Sequence, residues 1–427
     1  MRFDLLVRGG EVVDPGGGHE GLLDVAISRD RIATVDRDIP VDSAFRVIDA
    51  SGQIVTPGLV DLHTHVFHKL TYWGIDPDPV ASRSGVTTWN DAGSSGALTL
   101  EGFREFIVRP ATVRITGFVN ISSIGLVCDD YEVANPWYCD VDLLRRIVAR
   151  NRDVVLGVKV RMGNLLPLRG DPLDPLRRAR EAADVCELPL MMHISFGPPT
   201  IEEVLPFLKP GDVLTHCFTG HPMKIVDDEG RLLDAARRAW ESGVVFDVGH
   251  GTGSFSFETA EAVMGDGRQP DVISTDLHQL SVNGPTFDLP TTLSKFLHLG
   301  MSLPAVIEAA TVRPAAVLGL EGEIGTLRPG SRADVALFRL YEGSFPLQDI
   351  HGNVRAAARL LRNTATFVGG RQLERLPLPP RAPWTEEPIW PDVQIPFTEK
   401  QRELHELGRT PDAMAAVAGE RSGLDHG

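Results

Sequence analysis

The chain has 427 residues, 42% of them hydrophobic and 23% charged, an ordinary globular composition that excludes a mainly disordered or collagen-like polymer. A formal net charge of −16, with no Lys/Arg-rich stripe interleaved with aromatics to offset it, argues against nucleic acid as a partner and equally against an acidic membrane. No run of 18 apolar residues occurs, and the opening MRFDLLVRGGEVVDPGGG breaks any signal-like region with Asp4 and Arg8, so a cytoplasmic protein is expected.

In chain order, the first fifty residues alternate apolar and polar positions in DLLVRGGEVVD, LLDVAISRDRIATVD and RVIDASGQIV, the pattern of short antiparallel strands. From Pro57 onward short apolar runs recur, each followed by a longer helical pattern, as repeated β/α units require. Eight strands are predicted near Leu59–Thr64, Val86–Asp91, Ile115–Ile121, Val154–Arg161, Pro189–Ile194, Val213–Cys217, Val244–His250 and Val272–Asp276. Helical stretches such as VDLLRRIVARN, DPLRRAREAADVC and GRLLDAARRAWESG lie between them. Strand-like alternation returns in IGTLRPGSRADVALFRL and RLLRNTATFVGGRQL.

The expected fold is therefore α/β: a (β/α)8 TIM barrel over residues 57–321 with a small β-sandwich built from both chain ends, 1–56 and 322–380. Residues 381–427 read as a Pro-rich C-terminal arm with a short helix at TEKQRELHELGR. Such an arm covers either a neighbouring subunit of a homo-oligomer or the chain's own β module. Cys128, Cys139, Cys186 and Cys217 have no C-x-x-C spacing and read as reduced thiols, Cys217 as a small core residue.

In VDLHTHV, His63 and His65 are two apart at the end of the first barrel strand, so both imidazoles share one face and point inward, where the pair can chelate a metal or serve as ordinary structural residues. Lys159 in VVLGVKVRM lies inside an apolar strand, where an ammonium would be heavily desolvated. It is either paired with a carboxylate, snorkelling to the mouth, or converted by carbon dioxide into a carbamate able to bridge two cations. His193 in LPLMMHISF and His216 in DVLTHCFTG end later strands, and Asp276 in DVISTDLH ends the last. A carboxylate there can bind one metal and accept a proton from a bridging water.

With PGLVDLHTH, the strand-embedded lysine, two strand-end histidines and a final-strand aspartate in this order, the chain resembles the amidohydrolase superfamily over about residues 52 to 335. TLRPGSRADVALF and FVGGRQL resemble the β module that flanks these barrels in dihydroorotases, hydantoinases and related deacetylases. The resemblance implies that His63 and His65 hold the more buried of two divalent metals and His193 and His216 the more exposed. It implies that N6-carboxylated Lys159 bridges them and that Asp276 completes the buried site as the catalytic proton acceptor. Zinc is the favoured ion for histidine nitrogen with carboxylate or carbamate oxygen, with manganese, cobalt and iron as alternatives that such ligands also bind. A mononuclear adenosine-deaminase site is not resembled, since Phe196 stands three residues after His193 in place of a glutamate.

FDVGHGTGSFSF, Phe246 to Phe257, resembles the deacetylase-like branch more than dihydroorotase. His250 within it reads as a hydrogen-bond donor to substrate or as a loop histidine with a structural partner. Arg161 shares the face of Lys159 and suits a substrate carboxylate, or else an ion pair with a barrel carboxylate such as Asp91. Asn120 and Ser195 are lesser substrate-binding candidates. The expected reaction is hydrolysis of an amide or ester acyl group from a small carboxylate-bearing molecule, an N-acyl amino acid or an O-acyl hydroxy acid. Ring opening of a cyclic amide is the alternative. A non-catalytic hydantoinase-like scaffold is a remote third reading, since all six ligand types are kept.

Overall fold

The computed structural model describes residues 2–163 and 171–378; the expected arm at 381–427 and its helix lie outside them. Fifteen strands form among the described residues: β1 (Phe3–Asp14), β2 (His19–Ser28), β3 (Arg31–Asp36), β4 (Ala44–Asp49), β5 (Ile54–Pro57), β6 (Leu59–Thr64), β7 (Val86–Gly96), β8 (Arg114–Asn120), β9 (Val155–Arg161), β10 (Leu190–His193), β11 (Val213–Thr215), β12 (Val245–Asp247), β13 (Val335–Gln348), β14 (Val354–Val368) and β15 (Arg371–Gln372). They divide into two sheets, one of eight strands and one of seven.

The eight-stranded sheet runs β15-β14-β13-β5-β1-β2-β3, with β4 also on β1. It is mostly antiparallel and is built from both ends of the described chain, because β13 pairs with β5 from Val335↔Pro57 to Phe338↔Ile54. All its strands belong to one hydrogen-bonded sheet in which β1 changes partner midway, pairing with β4 over Phe3–Arg8 and with β5 at Glu11 and Val12. Leu5, Val7, Val25, Ile27, Val55, Val335, Leu337 and Phe367 close its main core.

The seven-stranded sheet is parallel, β6 to β12 in sequence order, as short strands joined through helices demand. The intervening helices follow their sequence signals. Val141–Val148 begins at Asp140, whose carboxylate accepts from the Leu143 N–H at 2.9 Å. Asp174–Cys186 has Pro175 in its first turn and buries Leu176, Ala179, Ala182, Ala183 and Cys186 along one face, the three- and four-residue spacing of an amphipathic helix. Val158, Val160, Met192, Leu214 and Phe246, on one face of the sheet, join these helices in the largest apolar core, at about 1.5–3 kcal/mol per buried large side chain.

The eighth predicted strand, Val272–Asp276, is not a strand. The segment still makes parallel bridges to both edges of the sheet, Asp247↔Val272 on β12 and Thr64↔Leu277 beside β6. Asp61 of β6 accepts from the Thr275 N–H at 3.0 Å and from its hydroxyl at 2.6 Å. Strands predicted over 213–217 and 244–250 also stop early, at Thr215 and Asp247. The reason is local: His216 (φ 66°), Asp276 (φ 46°) and Gly249 (φ 46°) adopt left-handed backbone, which lies outside the β region that regular strands occupy. Among the described residues no helix is long and apolar enough to cross a membrane.

Candidate metal centre

Strand register assembles the site. Arg161, His193, Thr215 and Asp247 are consecutive cross-strand neighbours on β9, β10, β11 and β12, and Lys159 pairs with Met191 one pleat below. Because alternate residues share a face, these side chains all project away from the helix-side core. His63 is the penultimate residue of β6, while His216 and Asp276 follow immediately after Thr215 and Thr275. Their left-handed backbone turns both side chains at the carboxyl ends of the sheet. Non-glycine residues in that conformation cost of order 1–3 kcal/mol and gather at functional sites.

The six predicted ligands come together. His63 Nε2 lies 3.3 Å from Lys159 Nζ and 3.4 Å from Asp276 Oδ1. His65 Nε2 is 3.2 Å from the same Asp276 oxygen, and His216 Nε2 is 2.8 Å from His193 Nδ1. Donor atoms of His63, His216 and Asp276 all lie within 4.8 Å of one another, a group that could hold a metal ion. His63, His65, Lys159 and His216 are buried.

Second nitrogens decide what the first can do. Thr215 donates its one hydroxyl proton to Asp247 Oδ2 at 2.7 Å, so at 2.7 Å from His63 Nδ1 its oxygen accepts, and His63 carries hydrogen on Nδ1. The His216 Nδ1 faces the Gly249 carbonyl at 2.7 Å, which only accepts. His65 Nδ1 meets Ser94 Oγ at 2.8 Å, and the Ser94 N–H donates to Asp91 Oδ1 at 2.7 Å. His63 and His216, at least, therefore turn a bare Nε2 lone pair toward the cluster, the state in which imidazole binds a metal.

Burial enforces neutrality. It holds His63 and His193 well below the usual imidazole range, His65 at about 3 and His216 at about 4. It also pulls the Lys159 amine down to about 7 and raises the Asp276 carboxyl. Neutral nitrogen donors beside a carboxylate suit one or two divalent cations.

Other predicted residues fall differently. Arg161 does not pair with Asp91. Its Nε and Nη2 grip Glu132 at 2.6 and 2.5 Å, with Asp130 at 3.4 Å, since a loop from 121 to 140 folds over it. Its Nη1 makes no hydrogen bond among the described residues. His250 is fully buried and does not present a free donor. Its Nε2 meets Lys295 Nζ at 2.6 Å, its Nδ1 lies 2.9 Å from the Gly251 carbonyl, and its ring stacks on Phe255. Asn120 commits its amide to the Gly93 carbonyl and the Ser122 N–H, and Ser195 donates to the Gly163 carbonyl at 3.1 Å. Cys217 is buried, with its thiol pushed far above the ordinary range.

Sequence reasoning missed Thr215, Asp247, Ser94, Glu132 and Lys295. Thr215 and Ser94 carried a faint signal, each being one polar residue at or near a strand end. The others needed tertiary structure.

A parallel sheet carrying convergent neutral bases and a carboxylate at its carboxyl ends defines a class, the α/β enzymes that work through strand-end side chains. Residues 221–373 match the amidohydrolase family. The chain is 36% identical over 369 residues to a deacetylase of Agrobacterium fabrum, covering 86% of this chain and 90% of that one. It resembles crystal structures of a dihydroorotase (36% identity, TM-score 0.80, covering 88% of this chain and 99% of the other) and of an adenine deaminase (35%, 0.80, 87% and 99%). The chain belongs to the amidohydrolase family, and it is an enzyme, a hydrolase of the class that acts on C–N bonds.

Proposed function

We propose that the chain is a binuclear metal-dependent hydrolase that removes an acyl group from a small carboxylate-bearing substrate, an N-acyl amino acid or an O-acyl hydroxy acid. In this reading segment 272–277 closes the parallel sheet into a (β/α)8 barrel and the eight-stranded sheet curls into a β-sandwich. The observation that carries it is the convergence of His63, His65, Lys159, His193, His216 and Asp276 on one buried cluster.

His63 and His65 would hold one ion and His193 and His216 the other, with Asp276 completing the first site. Lys159 touches no anion within salt-bridge range among the described residues. Its Nζ meets only His63 Nε2 and Met191 Sδ, so the buried amine is best uncharged. As a free base it adds to carbon dioxide, forming an N–C bond and releasing a proton, and becomes an anionic oxygen donor. When bound, divalent ions such as zinc act as Lewis acids that make water nucleophilic at neutral pH and polarise an acyl carbonyl. Asp276, whose Oδ1 lies 3.4 and 3.2 Å from the Nε2 atoms of His63 and His65, takes the proton of the attacking water and delivers it to the departing nitrogen or oxygen. Arg161 contributes its Nη1 to the substrate carboxylate while Glu132 keeps the guanidinium in place. The deacetylase relative supports the acyl reading.

The likeness to a dihydroorotase structure favours one alternative, ring opening of a cyclic amide. Zinc-loaded full-length protein assayed against N-acetyl and O-acetyl acids of both stereochemistries, beside dihydroorotate and hydantoins, separates the two. Turnover of the acyl acids is expected; turnover confined to cyclic substrates would reject acyl transfer.

A further inference from the structure

Lys295 is, with Lys159, one of two buried lysines among the described residues, and the chemistry above does not use it. It lies in the helix Leu289–His298, which packs against β14 and receives the Leu361 N–H on Ser294. Its Nζ has three acceptors, His250 Nε2 at 2.6 Å, the Gln348 carbonyl at 2.8 Å and the Pro285 carbonyl at 2.9 Å, one for each N–H of an ammonium. Because His250 Nε2 accepts, its hydrogen is on Nδ1, facing the Gly251 carbonyl and Thr286 Oγ1. Thr286 itself donates to that carbonyl at 2.8 Å.

The loop so gripped touches the candidate ligands from behind. Gly249 supplies the carbonyl that takes the His216 Nδ1 proton. A Cβ at Gly249 would stand 2.4 Å from Thr215 Oγ1 and 2.9 Å from His216 Nδ1, and one at Gly251 would stand 2.4 Å from Asp276 Oδ2. With no slack between loop and ligands, a small loop displacement redirects His216 and Asp276.

We propose that Lys295 is a positioning residue for the metal centre: through His250 it fixes Gly249–Gly251, and through that backbone it orients His216 and Asp276. This rests on reading those two residues as ligands. It also ties the site to the end of β13, since Gln348 supplies one of the three acceptors.

Metal-stripped full-length wild type, Lys295→Met and Thr286→Val are titrated with Zn2+ against a chelator, and their Co2+ forms are compared by visible absorption. Lys295→Met is expected to weaken one binding step by about 10- to 100-fold and to change the cobalt spectrum, with Thr286→Val moving the same way by less. A purely structural lysine would lower Tm and leave both readouts of the folded protein unchanged, which overturns the proposal. If Lys295→Met does not fold, Thr286→Val decides alone. Wild-type protein that takes up no Zn2+ sinks the metal reading and this inference with it, a result distinct from wild type and variants binding equally.

Discussion

Replacing Thr215 by valine removes one hydroxyl and little volume, yet that hydroxyl joins His63 Nδ1 to Asp247 Oδ2 through two 2.7 Å contacts. Both neighbours are buried. In Thr215→Val the imidazole N–H and the carboxylate oxygen each lose a partner that water cannot replace, at about 1–3 kcal/mol apiece and more for the charged group. The tautomer of His63 is also loosened, because Nδ1 then faces only Asp247 Oδ2 at 3.7 Å, beyond hydrogen-bond reach. Part of the total weakens cation binding at the His63 position, by about 10- to 100-fold, equivalent to about 1.4–2.7 kcal/mol. The remainder appears as lower Tm of the metal-free protein. Chelator competition and thermal melts on Thr215→Val and Thr215→Ser measure both, with serine expected to stay close to wild type. Wild-type metal affinity in the valine variant would refute the hydroxyl relay.

Lys159→Met is expected to lower bound metal below two equivalents and activity by about 10³-fold, consistent with several kcal/mol of lost charge stabilisation; metal analysis beside a kinetic assay checks it. Gly251→Ala places a Cβ 2.4 Å from Asp276 Oδ2 at φ +54°, so kcat should fall about tenfold or more while stability drops by about 1–2 kcal/mol; steady-state kinetics showing only a KM change would contradict the placement. Glu132→Ala strips the bidentate partner from Arg161 and should destabilise by about 3–5 kcal/mol, read as a lower urea midpoint.

What the sequence made legible was whatever depends on period and residue type. His63 and His65 stand out because two imidazoles share parity on a strand, and Lys159 because a cation interrupts an apolar run. The strand limits at Thr215 and Asp247 were hidden, since nothing in HCF or in STDLH announces left-handed backbone at His216 and Asp276. Which carboxylate reaches Arg161 depends on how an aperiodic loop folds, so Glu132 could not be preferred over Asp91. Lys295 in LPTTLSKFLH reads as the polar face of an amphipathic helix; only packing against β14 shows that this face is interior.

The pairing of β5 with β13 joins residues roughly 280 positions apart. At a synthesis rate of about 5–20 residues per second, the N-terminal strands wait on the order of 15–60 s before their neighbour leaves the ribosome. Until then β5 exposes an edge able to recruit a strand from another nascent chain. Maturation of the catalytic half thus falls inside a window in which its supporting sheet is still open, and any chaperone serving this protein would find its client there.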